Sequence, residues 1–232
     1  FINGLMDEVA IYNRAISINE INIMYTTIPN PDTGNGNLVS WWPMNEFGGT
    51  LVPDVQGTNN GTAINPSWSA GVSGNCLSFN GVDEYVTIPD NPSLNFTEQL
   101  TIMAWAKSSE YKEAKIVQKG DWDGHGLGGT KWGGWKGHIR LASGSSVAIE
   151  SPGGRPLLNE WYHLAITYDG AMLKLYVNGQ LSNSQSASGL LQVTSRVACI
   201  GSDNGGQKFF NGLIDEVKFF NTALNQTEIQ AA

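Results

Sequence analysis

One segment of this chain is written twice. Residues 1–21 read FINGLMDEVAIYNRAISINEI and residues 209–229 read FFNGLIDEVKFFNTALNQTEI, identical at 11 of 21 positions. The 208-residue spacing is far longer than any solenoid repeat and about the size of one domain. The chain is therefore expected to carry the tail of one domain followed by one complete copy. Residues 1–25 become the closing strand and helix of a preceding repeat, the Pro/Gly/Asn-rich stretch 26–36 a linker, and 37–232 the complete domain. Phe1 in place of an initiator methionine fits a piece of a longer protein. Within each copy, Ser17 and Asn225 precede Glu20 and Glu228 by three residues, the spacing of a capping box at the start of a short helix.

The complete copy reads as all-β, because short alternating runs are separated by Gly, Asn, Asp and Pro. Expected strands include Leu38–Met44, Cys76–Phe79, Tyr85–Ile88, Leu100–Lys107, Lys115–Lys119, His138–Ala142, Trp161–Tyr168, Met172–Val177, Val197–Ile200 and Gly212–Phe219. Turn chemistry is explicit at Tyr-Asp-Gly 168–170 and Val-Asn-Gly 177–179. Alternation along the last strand predicts Leu213, Asp215, Val217 and Phe219 on one face, with Glu216 and Lys218 on the other. Trp42, Trp105 and Trp161 are expected to pack in the core, and Trp41 to point away from Trp42. Cys76 and Cys199 fit either a disulfide or two buried thiols.

No run of 18 apolar residues is present, so no membrane-spanning helix is expected. A net charge of −8 argues against a nucleic-acid partner. The charge is uneven, since residues 107–155 hold eight of the thirteen basic residues and carry +3. That stretch reads either as ordinary surface lysines or as a face for an anionic ligand.

Inside it lies KGDWDGHGLGGTKWGGWKGH, residues 119–138, with Trp122, Trp132 and Trp135 among eight glycines. Glycine-rich loops lie at surfaces, and exposed indoles offer flat platforms to the C–H faces of sugar rings. Asp121, Asp123, His125, Lys136 and Arg140 are the candidate polar contacts. Asp121, Asp123 and His125 also have the spacing of a small metal cluster. The competing reading folds these tryptophans under the loop as a satellite core. No paired-carboxylate motif of the kind glycoside hydrolysis needs is found, and no other catalytic motif. The adjacent acids Asp83-Glu84 and Asp215-Glu216 would point to opposite faces of an extended strand.

In order along the chain stand LVSWWPMNE, LSFNGVDEYVTIPDNPSLNF, TIMAWAK, EWYHLAITYDGAMLKLYVNGQ and FNGLIDEVKFFNTALNQTEI. This succession resembles the laminin-G-like, concanavalin A-like jelly-roll family of bacterial secreted proteins, over roughly residues 37–232. The resemblance implies a two-sheet antiparallel β-sandwich, secreted or at the cell surface. It implies a non-catalytic carbohydrate-binding module for a polysaccharide or oligosaccharide. A structural or adhesive protein-binding module in a tandem array, or a hydrolase or lyase of the same fold, are the alternatives. A carboxylate at Asp215 on an apolar face reads as a structural group caging a loop; alternatively, since related jelly rolls hold Ca²⁺ near the chain termini, the resemblance suggests Asp215 with Asp54, Asn60 and Asn80 as ligands. The resemblance also places the FNGLIDEV strand beside Leu38–Met44. Residues 209–229 should fill that slot in their own domain, leaving residues 1–21 disordered, docked outside or exchanged with a neighbouring molecule.

Overall fold

In the computed structural model the chain divides into two units, Phe1–Gly34 and Asn35–Ala232. The structure describes residues 14–15, 37–121, 123–204 and 206–232. The expectation for residues 1–21 lies outside the described residues, apart from Arg14 and Ala15.

The second unit is built from two antiparallel sheets of eight strands, with the principal core between them. The first sheet runs in the order β14 (Gln180–Ser186), β13 (Met172–Val177), β12 (Tyr162–Tyr168), β7 (Leu100–Ser108), β16 (Asn211–Phe220), β5 (Asn75–Asn80) and β4 (Ser67–Ala70). In this sheet β1 (Leu38–Trp42) also pairs with the C-terminal half of β16, from Leu38 opposite Phe220 to Trp42 opposite Val217. Residues 211–220 thus occupy the place beside the domain's first strand. The second sheet runs β11 (Ser146–Glu150), β10 (Trp135–Arg140), β9 (His125–Gly129), β8 (Ala114–Lys119), β15 (Ala198–Ile200), β6 (Tyr85–Ile88), β3 (Gly61–Ile64) and β2 (Leu51–Val52).

Side chains that alternate inward form the core. Leu100, Ile102, Ala104 and Ala106 of β7 meet Leu164, Ile166 and Tyr168 of β12, and Trp42 packs edge-on to Phe219 at 5.4 Å between ring centroids. A smaller apolar cluster lies on the outer face of the first sheet. There Met103, Ala165, Tyr176 and Phe220 bury Leu224 and Ile229, the latter from helix α1 (Gln226–Ala231). The expected capping box starts this helix, with Asn225 Oδ1 accepting from Glu228 N at 3.1 Å and Glu228 Oε2 from Asn225 N at 2.7 Å.

Two expectations are corrected here. The register of β16 against β7 slips between Asp215 and Lys218, with Glu216 at φ 52°. This bulge turns Ile214, Val217 and Phe219 into the core and puts Asp215 on the opposite, outer face. Alternation misassigned the aspartate because one extra residue reverses the phase of a period-two pattern. Trp105 likewise lies on the outer face, next in line after Met103, and is only half-buried, as is Trp161. Outer-face burial by α1 makes β7 apolar on both sides, so periodicity could not tell core from cover.

Cys76 and Cys199 are both buried, and no disulfide joins them. Burial, helped by the Asp215 charge, pushes the Cys76 thiol up to about 12.

Candidate functional site

The segment 119–138 folds into β8, β9 and β10 rather than into one long loop. The β9 glycines serve close packing: a Cβ on Gly126 would come within 2.4 Å of Val117 O, and one on Gly128 within 2.2 Å of Ala114 O. Trp135 points into the core, 4 % exposed, and tilts against Tyr162 at 5.6 Å. His125 is buried at 2 % exposure, its Nδ1 accepting from Arg140 N at 3.3 Å. Burial lowers the His125 pKa to about 4. Asp123 is held by Thr194 Oγ1 at 3.0 Å and Arg196 Nε at 3.3 Å, and also accepts from Asp121 N. These ties use the acceptor oxygen that the Asp121–Asp123–His125 metal reading needed.

Trp132 is the exposed platform of the set, at 68 %, with the Lys131 ammonium 4.8 Å above its ring. Lys136 and Arg140 lie on the outer face of β10, near Glu150 at 3.8 Å and Ser146 Oγ at 2.8 Å respectively. Trp122 lies outside the described residues. The expected cluster is therefore split: Trp132, Lys136 and Arg140 remain accessible, whereas Trp135 and His125 belong to the interior. Lys119, counted in the basic stretch, is also interior. Its ammonium, 1 % exposed, donates to Asp90 Oδ1 at 2.5 Å, to Thr194 O and to Arg196 O.

The four residues suggested for Ca²⁺ do not converge. Asp54 Oδ1 accepts from Trp41 N and Gln56 N and its Oδ2 from Asn59 N, while Asn60 Oδ1 accepts from Asp54 N. Those two close a turn. Asn80 sits opposite Asn211 and caps its own turn through Val82 N and Asp83 N. Asp215, four residues further along β16, lies about 13 Å away at strand spacing. Its carboxylate accepts from Val72 N (2.8 Å), Ser73 N (3.3 Å) and Glu216 N (2.8 Å), fastening the β4–β5 turn over the sheet. Burial raises Asp215 to about 6. Among the described residues no group of three or more His, Cys, Asp or Glu side chains is placed to hold a metal ion.

The adjacent acids also act locally. Glu84 and Asp83 both bond Asn80, and Glu216 Oε2 accepts from Trp41 Nε1 at 2.8 Å.

A concave site that the sequence did not reveal lies on the outer face of the first sheet. Trp105, Trp161, His163, Asn178 and Gln230 line a cleft of about 350 Å³ beside α1. That volume is within the range of small-molecule sites, roughly 300–1,000 Å³. Strand pairing puts His163 directly opposite Trp105. The cleft's far wall is the Asn178-Gly179 hairpin turn. Asn178 Oδ1 accepts from His163 N at 2.9 Å, and Gln230 Nε2 donates to Gly179 O at 3.0 Å. Burial, then the nearby Lys218 charge, lowers His163 to about 4, so its ring is neutral at physiological pH. The cleft thus offers indole surfaces and uncharged hydrogen-bonding groups. Its sequence signals were Trp105 one step out of phase with Ala104 and Ala106, and the Asn-Gly turn.

The family described as the concanavalin A-like lectin/glucanases superfamily, Laminin_G_3, matches residues 80–230. The chain belongs to this family. No curated protein matches it. Among solved structures, this laminin-G-like chain is similar to the binding domain of Paraclostridial mosquitocidal protein 1, with TM-score 0.71, 18 % identity, and coverage of 84 % of this chain and 51 % of that one. It is similar to the binding domain of botulinum neurotoxin serotype G, with TM-score 0.67, 14 % identity, and coverage of 84 % and 50 %. It is also similar to domain 4 of an extracellular arabinanase from Geobacillus stearothermophilus, solved in complex with arabinotriose. There the TM-score is 0.65 at 20 % identity, covering 84 % of this chain and 97 % of that domain. The chain spans about half the length of the two toxin binding domains. At these identities the likeness shows a shared fold. Among the described residues no helix is long and apolar enough to cross a membrane.

Proposed function

We propose that this domain is a non-catalytic saccharide-binding module of a larger secreted or cell-surface protein, with the Trp105–Trp161 cleft as its principal site. The observation that carries the reading is the pairing of two half-buried indoles with uncharged His163, Asn178 and Gln230 in one concavity. A sugar ring has apolar C–H faces and a hydroxyl rim, and this cleft complements both. The arabinotriose-bound relative supports the class of ligand.

A second surface, Trp132 with Lys131 at the β9–β10 turn and Lys136 and Arg140 beyond it, is favoured by the exposure of that indole. It suits an auxiliary contact to a long chain, or the protein partner of an adhesive module.

Affinity electrophoresis through gels of the neutral polymers arabinan, galactan and xylan tests the proposal. Retardation by at least one polymer is expected, and its loss in Trp105→Ala/Trp161→Ala. Migration unaffected by every polymer would remove the reading. Retardation lost only in Trp132→Ala would transfer it to the hairpin turn.

A further inference from the structure

The outer face of the second sheet carries a row of polar side chains flanking two buried glycines. Register places Gly128 between Lys115 on β8 and Lys136 on β10, and Gly126 between Gln118 and His138. Ile116, Val117 and Leu127 point into the core, so these four side chains stand on the outer face of the sheet, with Gln118 buried at its base. The two glycines project nothing between them. Lys115 and Lys136 are rooted two strand spacings apart, about 10 Å, a span that two flexible four-carbon arms can close upon a small group. Lys208 joins the row from the other flank, because Lys115 N donates to Lys208 O at 2.9 Å.

The charges in this row are unevenly matched. Lys208 pairs with Glu113 at 3.0 Å and Lys136 with Glu150 at 3.8 Å. Lys115 has no carboxylate within ion-pair distance among the described residues, although Asp203 and Glu113 lie in its surroundings. Burial, then repulsion from Lys208 and Lys136, lowers it to about 8. Beside it, Gln118 is 1 % exposed; its Nε2 donates to Asp121 O, yet its Oε1 is buried without a partner. An unpaired ammonium and an orphan amide oxygen are both costly, and a ligand bearing an anion and a hydroxyl donor satisfies both.

We infer that Lys115, Lys136, Lys208, Gln118 and His138 form a separate site for an acidic sugar, around the floor of Gly126 and Gly128. The lysines take the carboxylate or sulfate, and Gln118 Oε1 accepts from a hydroxyl. The inference rests on the saccharide-binding reading but uses the opposite face of the sandwich from the Trp105–Trp161 cleft. The two therefore fail separately.

The test titrates the wild type, Lys115→Met, Lys136→Gln and Trp105→Ala/Trp161→Ala with oligogalacturonate and with a sulfated galactan, a neutral galactan serving as control. Binding to at least one acidic polymer is expected, weakening between low and high salt. Lys115→Met should lose about tenfold in that affinity with the neutral arm unchanged, and Lys136→Gln should lose part of it. The tryptophan variant should keep its acidic binding. Whichever acidic arm responds decides between carboxylate and sulfate. Thermal unfolding gives a second readout: Lys115→Met should melt no lower than the wild type without ligand, and oligogalacturonate or the sulfated oligomer should raise the Tm of the wild type and of Trp105→Ala/Trp161→Ala by more than that of Lys115→Met. Acidic binding absent, or unchanged within twofold in Lys115→Met, would overturn the inference. So would a marked drop in Tm for that variant.

Discussion

The Trp105 and His163 rings face each other across the β7–β12 pair with their centroids 5.3 Å apart, on the side of the sheet away from the main core. Because His163 is neutral and Trp105 half-buried, the pair forms a wall of a cleft rather than part of the interior. Removing such side chains should affect binding more than folding. Trp105→Ala is expected to lower affinity for the cognate saccharide about tenfold or more. Its Tm should fall by no more than about 8 °C, some 2 kcal/mol at this chain length. Calorimetric titration beside thermal unfolding checks the balance between the two.

Trp135 should behave in the opposite way. It is sealed in the core against Tyr162, and its Nε1 has no hydrogen-bond partner. Truncation to alanine should cost about 3–5 kcal/mol. Trp135→Phe, which loses no hydrogen bond, should be much milder. Urea denaturation of the two variants measures the difference, and equal effects would contradict the packing described.

Asp215 is expected to be a structural clamp. Asp215→Ala leaves Val72 N and Ser73 N without their acceptor and frees the turn they belong to. A loss of at least about 2 kcal/mol is expected, read by urea denaturation. Near-neutral behaviour would show that the turn is held by other contacts.

Acid should destabilise the domain before its carboxylates are neutralised. His125 and His163 titrate near 4 in the folded protein, and His138 is lowered well below its ordinary value by burial and by Lys115. Unfolded histidine titrates near about 6.5, so between 6.5 and 4 the unfolded chain binds more protons and stability falls as pH falls. Asp215, raised to about 6, acts in the opposite direction between about 6 and its ordinary value. Glu46, Glu84 and Asp203, also raised by burial, act with Asp215, whereas Glu113, Asp123 and Asp169, lowered from their ordinary values, act with the imidazoles. The three imidazoles with the lowered carboxylates outweigh the raised ones, and Tm should decline from pH 7 to pH 4.5. A flat or rising profile would contradict the buried neutral imidazoles.

Divalent-ion removal should leave the fold unchanged, because Asp54 and Asp215 already accept from backbone N–H groups and lie in different places. A fall in Tm of more than about 4 °C in EDTA, roughly 1 kcal/mol or more, would put an ion in the structure.

The architecture was legible because two-residue alternation and Asn-Gly turns act locally. Tyr85–Ile88 and Met172–Val177 match their expected limits, and the Asn225 capping box is present as read. What escaped was non-local. β9, with Gly at three of five positions, has little side-chain alternation to read. The bulge at Glu216 reverses the phase of β16, and α1 makes the outer face of β7 as apolar as its inner face. The Trp105–Trp161 cleft was hidden for that last reason, since Trp105 sits in a strand, and Trp161 just before one, whose apolar character resembles a core. The second copy of the duplicated segment pairs with β1 of the same domain.

The most direct test of the central claim is an NMR titration that follows the eight tryptophan indole N–H signals as the cognate oligosaccharide is added. The signals of Trp105 and Trp161 should move with a single binding isotherm while those of Trp42 and Trp135 stay still. Saccharide binding that shifts Trp132 alone, with Trp105 and Trp161 unmoved, would contradict the assignment of the cleft.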